Sequence, residues 1–179
     1  MSLPRFATVW LGGCSGCHMS FLDMDEWLIE LATRVDLVYS PIADAKTYPE
    51  GVDVALVEGA VANEDNLELI HLVRQHTTTL VSFGDCAVTG NVTALRNIHG
   101  DVPELLRRVY VDMTDRNPGA PTSPVVPKLL PSVLPVHHVV PVDVYLPGCP
   151  PSAERIRTLL EAILDGRPVP RTPNDIRFG

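Results

Sequence analysis

Basic residues, cysteines and long apolar runs are all scarce in this chain. Only 14 Lys and Arg stand against 22 Asp and Glu in 179 residues, a formal charge of −8. Arg107-Arg108 is the sole basic doublet. Nucleic-acid binding needs a basic patch that neutralises phosphates, and none stands out. An anionic membrane surface would find no polybasic anchor either. The longest uncharged run, Phe6 to Leu22, has 17 residues, whereas a membrane span takes about 20 predominantly apolar ones. That run is interrupted by Gly12, Gly13, Cys14, Ser15, Gly16, Cys17 and His18, so its apolar part, Phe6 to Leu11, is only strand-sized. No basic segment with a small-residue cleavage site and no twin-arginine pair stands near Met1. The expectation is a soluble, cytoplasmic protein.

What is present is ordinary for a globular domain: 45% hydrophobic and 20% charged residues, enough to rule out wholesale disorder. The length suits one domain, 1–179. Short β-branched runs alternate with helical patterns through the first 95 residues. Ala7–Leu11, Asp36–Tyr39, Val52–Val57, Thr79–Phe83 and later Val142–Leu146 read as strands. Phe21, Leu22, Met24, Trp27, Leu28 and Leu31 recur at helical spacing. Asn63 is placed to cap a helix over 64–76, and Ser152 one that runs to Leu164 and stops at Gly166. This alternation predicts an α/β fold, an open parallel sheet with helices on both faces.

Proline breaks the rhythm. Ten of the 17 prolines fall between Pro118 and Pro151, a density no regular helix survives. Val125, Val126, Leu129, Leu130, Val133, Leu134 and Val136 interleave with them, which predicts an ordered loop packed on the domain at about 118–141 rather than a free linker. Arg167–Gly179 reads as a short polar tail.

The four cysteines occupy three contexts: Leu11-Gly-Gly-Cys-Ser-Gly-Cys17, Phe83-Gly-Asp-Cys86 and Leu146-Pro-Gly-Cys-Pro-Pro151. Each follows a predicted parallel strand, and in such sheets the carboxyl ends all face one edge, where ligands bind. Three loops meeting there would gather Cys14, Cys17, Cys86 and Cys149. Four convergent thiolates suit a [4Fe–4S] cluster. A structural zinc takes the same ligands, two disulfides need an oxidising compartment, and a thioredoxin-like pair would account for Cys14 and Cys17 alone. A flavin module would need a Ser/Thr/Gly phosphate loop after the first strand, which the cysteines occupy instead. His18, beside Cys17, reads as a hydrogen-bonding or interface residue. The pairs His71/His76 and His137/His138 have poor ligand spacing, the latter because neighbours in extended chain point apart. Asp85 reads as a helix N-cap.

The segments Trp10–Cys17, Phe83–Ala87 and Leu146–Pro151 resemble the small subunits of [NiFe]-hydrogenases, most nearly the short small subunit of soluble, bidirectional NAD-reducing hydrogenases. The resemblance covers nearly the whole chain, with all three cysteine motifs in order. It implies a flavodoxin-like domain with one proximal [4Fe–4S] cluster on Cys14, Cys17, Cys86 and Cys149, in a subunit of a hydrogen:NAD oxidoreductase. Electrons would pass between the Ni–Fe centre of a large subunit, where the hydrogen chemistry takes place, and iron–sulfur or diaphorase subunits holding FMN and NAD. Two departures stand out: Gly13 replaces an acidic residue found before the first cysteine in many periplasmic relatives, and no cysteine follows Cys149 to serve further clusters. The connecting subunit of respiratory complex I is similar too, but pairs adjacent cysteines in its first motif. The segment from Met19 to Trp27 is expected to contribute to the large-subunit contact, as is the proline-rich loop.

Overall fold

A run of aliphatic residues becomes a buried parallel strand when both its faces are covered, and Val52–Val57 meets that condition. It forms most of β3 (Val52–Glu58), the central strand, buried at every position but Asp53. Around it lie β1 (Arg5–Trp10), β2 (Asp36–Tyr39), β5 (Thr77–Phe83) and β7 (Val144–Leu146), all parallel, in the order β2-β1-β3-β5-β7. Counted along the chain this is the 2-1-3-4-5 order of flavodoxin-like sheets. The computed structural model describes residues 2–116 and 118–169; the end of the predicted tail, 170–179, lies outside them.

Alternate side chains of each strand feed two apolar layers. Phe6, Val54, Leu56, Val81 and Phe83 meet α1 (Gly16–Leu22), α2 (Trp27–Arg34) and α6 (Ala153–Leu164) on one face. Ala7, Val9, Val57 and Leu80 meet α3 (Glu64–His76) and the buried Val136 and Val140 on the other. The fold class read from the alternation is therefore the one observed. Asn63 caps α3 by accepting from the Asn66 N–H at 2.8 Å. Ser152 accepts from the Arg155 N–H at the start of α6.

The expected single helix through Phe21 and Leu31 is two. Asp25 adopts a left-handed backbone, φ 48°, which Asp tolerates better than most residues. Met24 N–H and Asp25 N–H turn back three residues to Phe21 and Leu22 carbonyls. The break costs no burial: Phe21, Met24, Trp27 and Leu31 all stay in the core.

In the proline-rich region, β6 (Leu129–Leu134) pairs antiparallel with the short β4 (Val61–Asn63). Val133, Val136 and Val140 are buried, whereas Val125 and Val126 are exposed. Arg74 of α3 fastens the approach to β7. Its guanidinium donates to the Pro141 carbonyl at 3.1 Å and to Asp143 Oδ2 at 2.6 Å, and the same oxygen accepts from Leu80 N–H at 2.8 Å.

Candidate metal centre

The loop after β1 is held against the loop after β3 by backbone pairing: Gly12 N–H donates to Ala60 O at 2.9 Å, and Ala60 N–H returns to Gly12 O at 2.8 Å. A Cβ on Gly12 would lie 2.9 Å from that carbonyl and from Ala62 Cβ, so only glycine lets the backbones approach so closely. From this anchor Cys14 projects exposed, while Cys17, in the first turn of α1, is buried.

Cys86 lies at the start of α4 (Asp85–Thr89), just beyond β5. Gly84, with φ +82°, brings this loop onto Cys17: a Cβ there would sit 2.1 Å from Cys17 Sγ. Gly84 N–H donates to Leu146 O at 2.8 Å, Asp85 N–H to Gly148 O at 2.9 Å, and Gly148 N–H to Asp85 Oδ1 at 2.6 Å. Asp85 is buried and ties the Cys86 loop to the Cys149 loop. That corrects its reading as a helix cap: the N-cap is Gly84, and the carboxylate reaches across to another loop.

The three loops therefore bring the four predicted cysteines to one edge, all as free thiols. Burial pushes the Cys17 thiol far above the usual thiol range, with the Glu58 charge next and then Cys86, Cys14 and Cys149 adding to it. Burial also raises Cys86, partly offset by the neighbouring polar Thr93. Thiols in reach of each other's charge resist joint ionisation, and bound metal makes four thiolates compatible in one place. Together with the cradle that a Cβ on Gly84 would fill, this donor set fits an iron–sulfur cluster. Among the described residues no group of three or more His, Cys, Asp or Glu side chains is placed to hold a single metal ion.

Glu58, at the end of β3, is a site residue that the sequence reading missed. It is 1% exposed. Its Oε2 accepts from the His18 backbone N–H at 3.0 Å and also hydrogen-bonds His18 Nδ1. The one signal for it is a lone acid closing an apolar strand just before Gly59. His18 is the hydrogen-bonding residue expected, buried edge-on to Phe83 with ring centroids 6.3 Å apart. At Gly13 a Cβ would press within 3.2 Å of Gly59 Cα and lie 3.6 Å from Glu58 Oε1, so an acidic side chain there would begin beside a carboxylate. His137 and His138 lie in a 3₁₀ turn rather than extended chain, ring centroids 4.6 Å apart.

Of the segment expected at an interface, Phe21, Met24 and Trp27 are core, whereas Met19 and Leu22 are exposed. Trp10 beside the first motif, and Val92, Leu95 and Ile98 on the 3₁₀ helix Asn91–His99, are exposed as well. With three residues per turn, the latter three form one column.

Comparison with known proteins matches residues 14–163 to the family "NADH ubiquinone oxidoreductase, 20 Kd subunit". The NAD-reducing hydrogenase HoxS subunit delta of Cupriavidus necator is 40% identical over 168 residues, covering 92% of this chain and 80% of that subunit. An iron-sulfur subunit of the F420-non-reducing hydrogenase of Archaeoglobus profundus is 30% identical over 186 residues, covering 93% of this chain but 58% of its own length. Among solved structures, a chain of an NAD+-reducing [NiFe]-hydrogenase in the H2-reduced state superposes with TM-score 0.93 at 43% identity, covering 99% of both chains.

Proposed function

The chain belongs to the NADH ubiquinone oxidoreductase 20 kDa subunit family and has hydrogenase subunits as relatives; on that premise we propose that it is the electron-transfer small subunit of a cytoplasmic, NAD-reducing [NiFe]-hydrogenase. One flavodoxin-like iron–sulfur domain, 1–179, would include the proline-rich loop and the tail. Cys14, Cys17, Cys86 and Cys149 would hold one [4Fe–4S] cluster, which when bound supplies one-electron transfer. The observation that carries this reading is the meeting of four free thiols from three loops at one sheet edge, with Gly84 leaving room for Cys17 Sγ.

The protein's own part is to position and insulate. Buried Cys17 and Cys86 keep water from one side of the site, and the Asp85–Gly148 bonds set the loop that carries Cys149. Exposed Trp10, Met19 and Leu22 beside the first motif, and the Val92–Leu95–Ile98 column after the second, supply apolar surface for a large subunit holding the Ni–Fe centre. Iron–sulfur and diaphorase subunits with FMN and NAD would take the electrons onward. Among the described residues no helix is long and apolar enough to cross a membrane.

Anaerobic purification tests the reading. The expected product is brown and holds about four iron and about four sulfide per chain; colourless protein with a single zinc would overturn it. Replacing Cys86 or Cys149 with Ser should abolish the cluster. Mass spectrometry of the co-purifying chains decides the acceptor: a diaphorase supports NAD, whereas a ferredoxin- or F420-linked set of subunits would reassign it.

A further inference from the structure

Cys149 receives a hydrogen bond from a turn of chain outside all three cysteine motifs. After α4 the backbone takes two left-handed residues in succession, Gly90 at φ 86° and Asn91 at φ 34°. A Cβ on Gly90 would come within 2.8 Å of Ala94 Cβ. Gly, and next to it Asn, are the residues that accept such backbone. The reversal carries the start of the 3₁₀ helix back over the site. There Asn91 Nδ2 donates to Cys149 Sγ at 3.4 Å. Two residues on, the Thr93 hydroxyl donates to the Gly12 carbonyl at 3.0 Å, in the loop that leads to Cys14. The far side of the helix is tied down, with Arg96 donating to Ala62 O and Leu130 O and Asn97 exchanging two bonds with Val133. The Asn91 donor is therefore held by a fixed element.

We propose that Asn91 forms a hydrogen-bonding cap that raises the reduction potential of the cluster through Cys149. The inference rests on the cluster reading above. Reduction adds an electron whose charge spreads onto the sulfurs, and donor dipoles aimed at those sulfurs stabilise the more negative state. Withdrawing a donor lowers the potential. A carboxylate in place of the amide lowers it further, because it replaces the positive end of a dipole with a negative charge.

The experiment is an EPR-monitored redox titration of the anaerobically purified holo-protein, with iron measured on each sample. Asn91→Gly keeps the left-handed backbone and removes the donor; Asn91→Asp keeps the shape and reverses the polarity. The expected order of potentials is unsubstituted, then Asn91→Gly, then Asn91→Asp lowest, at equal iron content. Potentials that coincide across the series overturn the cap, as does loss of iron from both Asn91 variants, which would make the residue a support for the ligand loop. If only one variant keeps its iron, its potential decides. Iron-free unsubstituted protein would instead fail the cluster reading, so the two failures are distinct.

Discussion

Asp85 and Gly148 hold each other by two hydrogen bonds of opposite sense. The Asp85 N–H donates to the Gly148 carbonyl at 2.9 Å, and the Gly148 N–H donates to the Asp85 carboxylate at 2.6 Å. The residues are 63 positions apart, and each stands next to a cysteine, Cys86 and Cys149. The pair is a clasp between two loops whose strands, β5 and β7, are already neighbours in the sheet.

Removing the clasp should loosen the site. Asp85→Ala leaves the buried Gly148 N–H without its acceptor, a cost of about 1–3 kcal/mol. Asp85→Asn keeps an acceptor oxygen and loses only the charge. The expected result is lower iron occupancy and a lower thermal midpoint for Asp85→Ala, with Asn close to the unsubstituted protein in both. Equal iron content in the Ala variant would refute a positioning role.

Gly84→Ala should abolish cluster binding. Its Cβ would meet Cys17 Sγ at 2.1 Å, on a backbone with φ 82° and ψ 163° that essentially only glycine adopts and that costs roughly 1–3 kcal/mol for other residues. Iron analysis alongside far-UV circular dichroism separates a lost site from a lost fold. A fully loaded Ala variant would show that Gly84 does not set the ligand spacing.

Glu58 is a buried acid whose hydrogen-bond partner, His18, directly follows the first cysteine pair. Glu58→Ala deprives the His18 N–H and imidazole of their acceptor in a closed environment, and destabilisation of about 1–3 kcal/mol follows. Glu58→Gln retains an acceptor and should recover part of the loss. Urea unfolding of the three proteins under identical metal loading measures both.

Tyr48 provides a pH signature away from the site. Its hydroxyl shares a hydrogen bond of 2.6 Å with Thr77 Oγ1. Burial pushes its pKa up to about 12, against the opposing pull of Thr77 and Arg74. The folded state thus favours the neutral phenol. Its contribution is complete below the unfolded value near pH 10 and is lost as the pH rises toward 12, about 3 kcal/mol in all. Tyr48→Phe should be less stable near neutrality by about 1 kcal/mol, yet lose less between pH 10 and 12. Parallel unfolding curves across that range would disprove it.

Much of this was legible from residue order because the signals were local. A short β-branched, mostly apolar run such as Val52–Val57 reads as a strand covered on both faces, and Asn63 and Ser152 cap their helices through groups three residues away. The break at Asp25 was not legible, since helical spacing of apolar residues continues straight through it. The β4–β6 pair was hidden as well: Pro131 and Pro135 obscure a strand whose partner lies more than 60 residues earlier.

The sequence by itself determined the alternation of strands and helices, the position of every cysteine after a strand, and through that the sheet edge where the thiols meet. Those properties depend on burial patterns and turn residues a few positions long. Tertiary structure alone decided what surrounds the thiols: Glu58 beneath His18, Asp85 across to Gly148, and Asn91 over Cys149. A polar side chain does not carry its partner's identity in its own neighbourhood. Burial makes an unpaired polar group costly, and which group answers it depends on loops that only the folded sheet brings together.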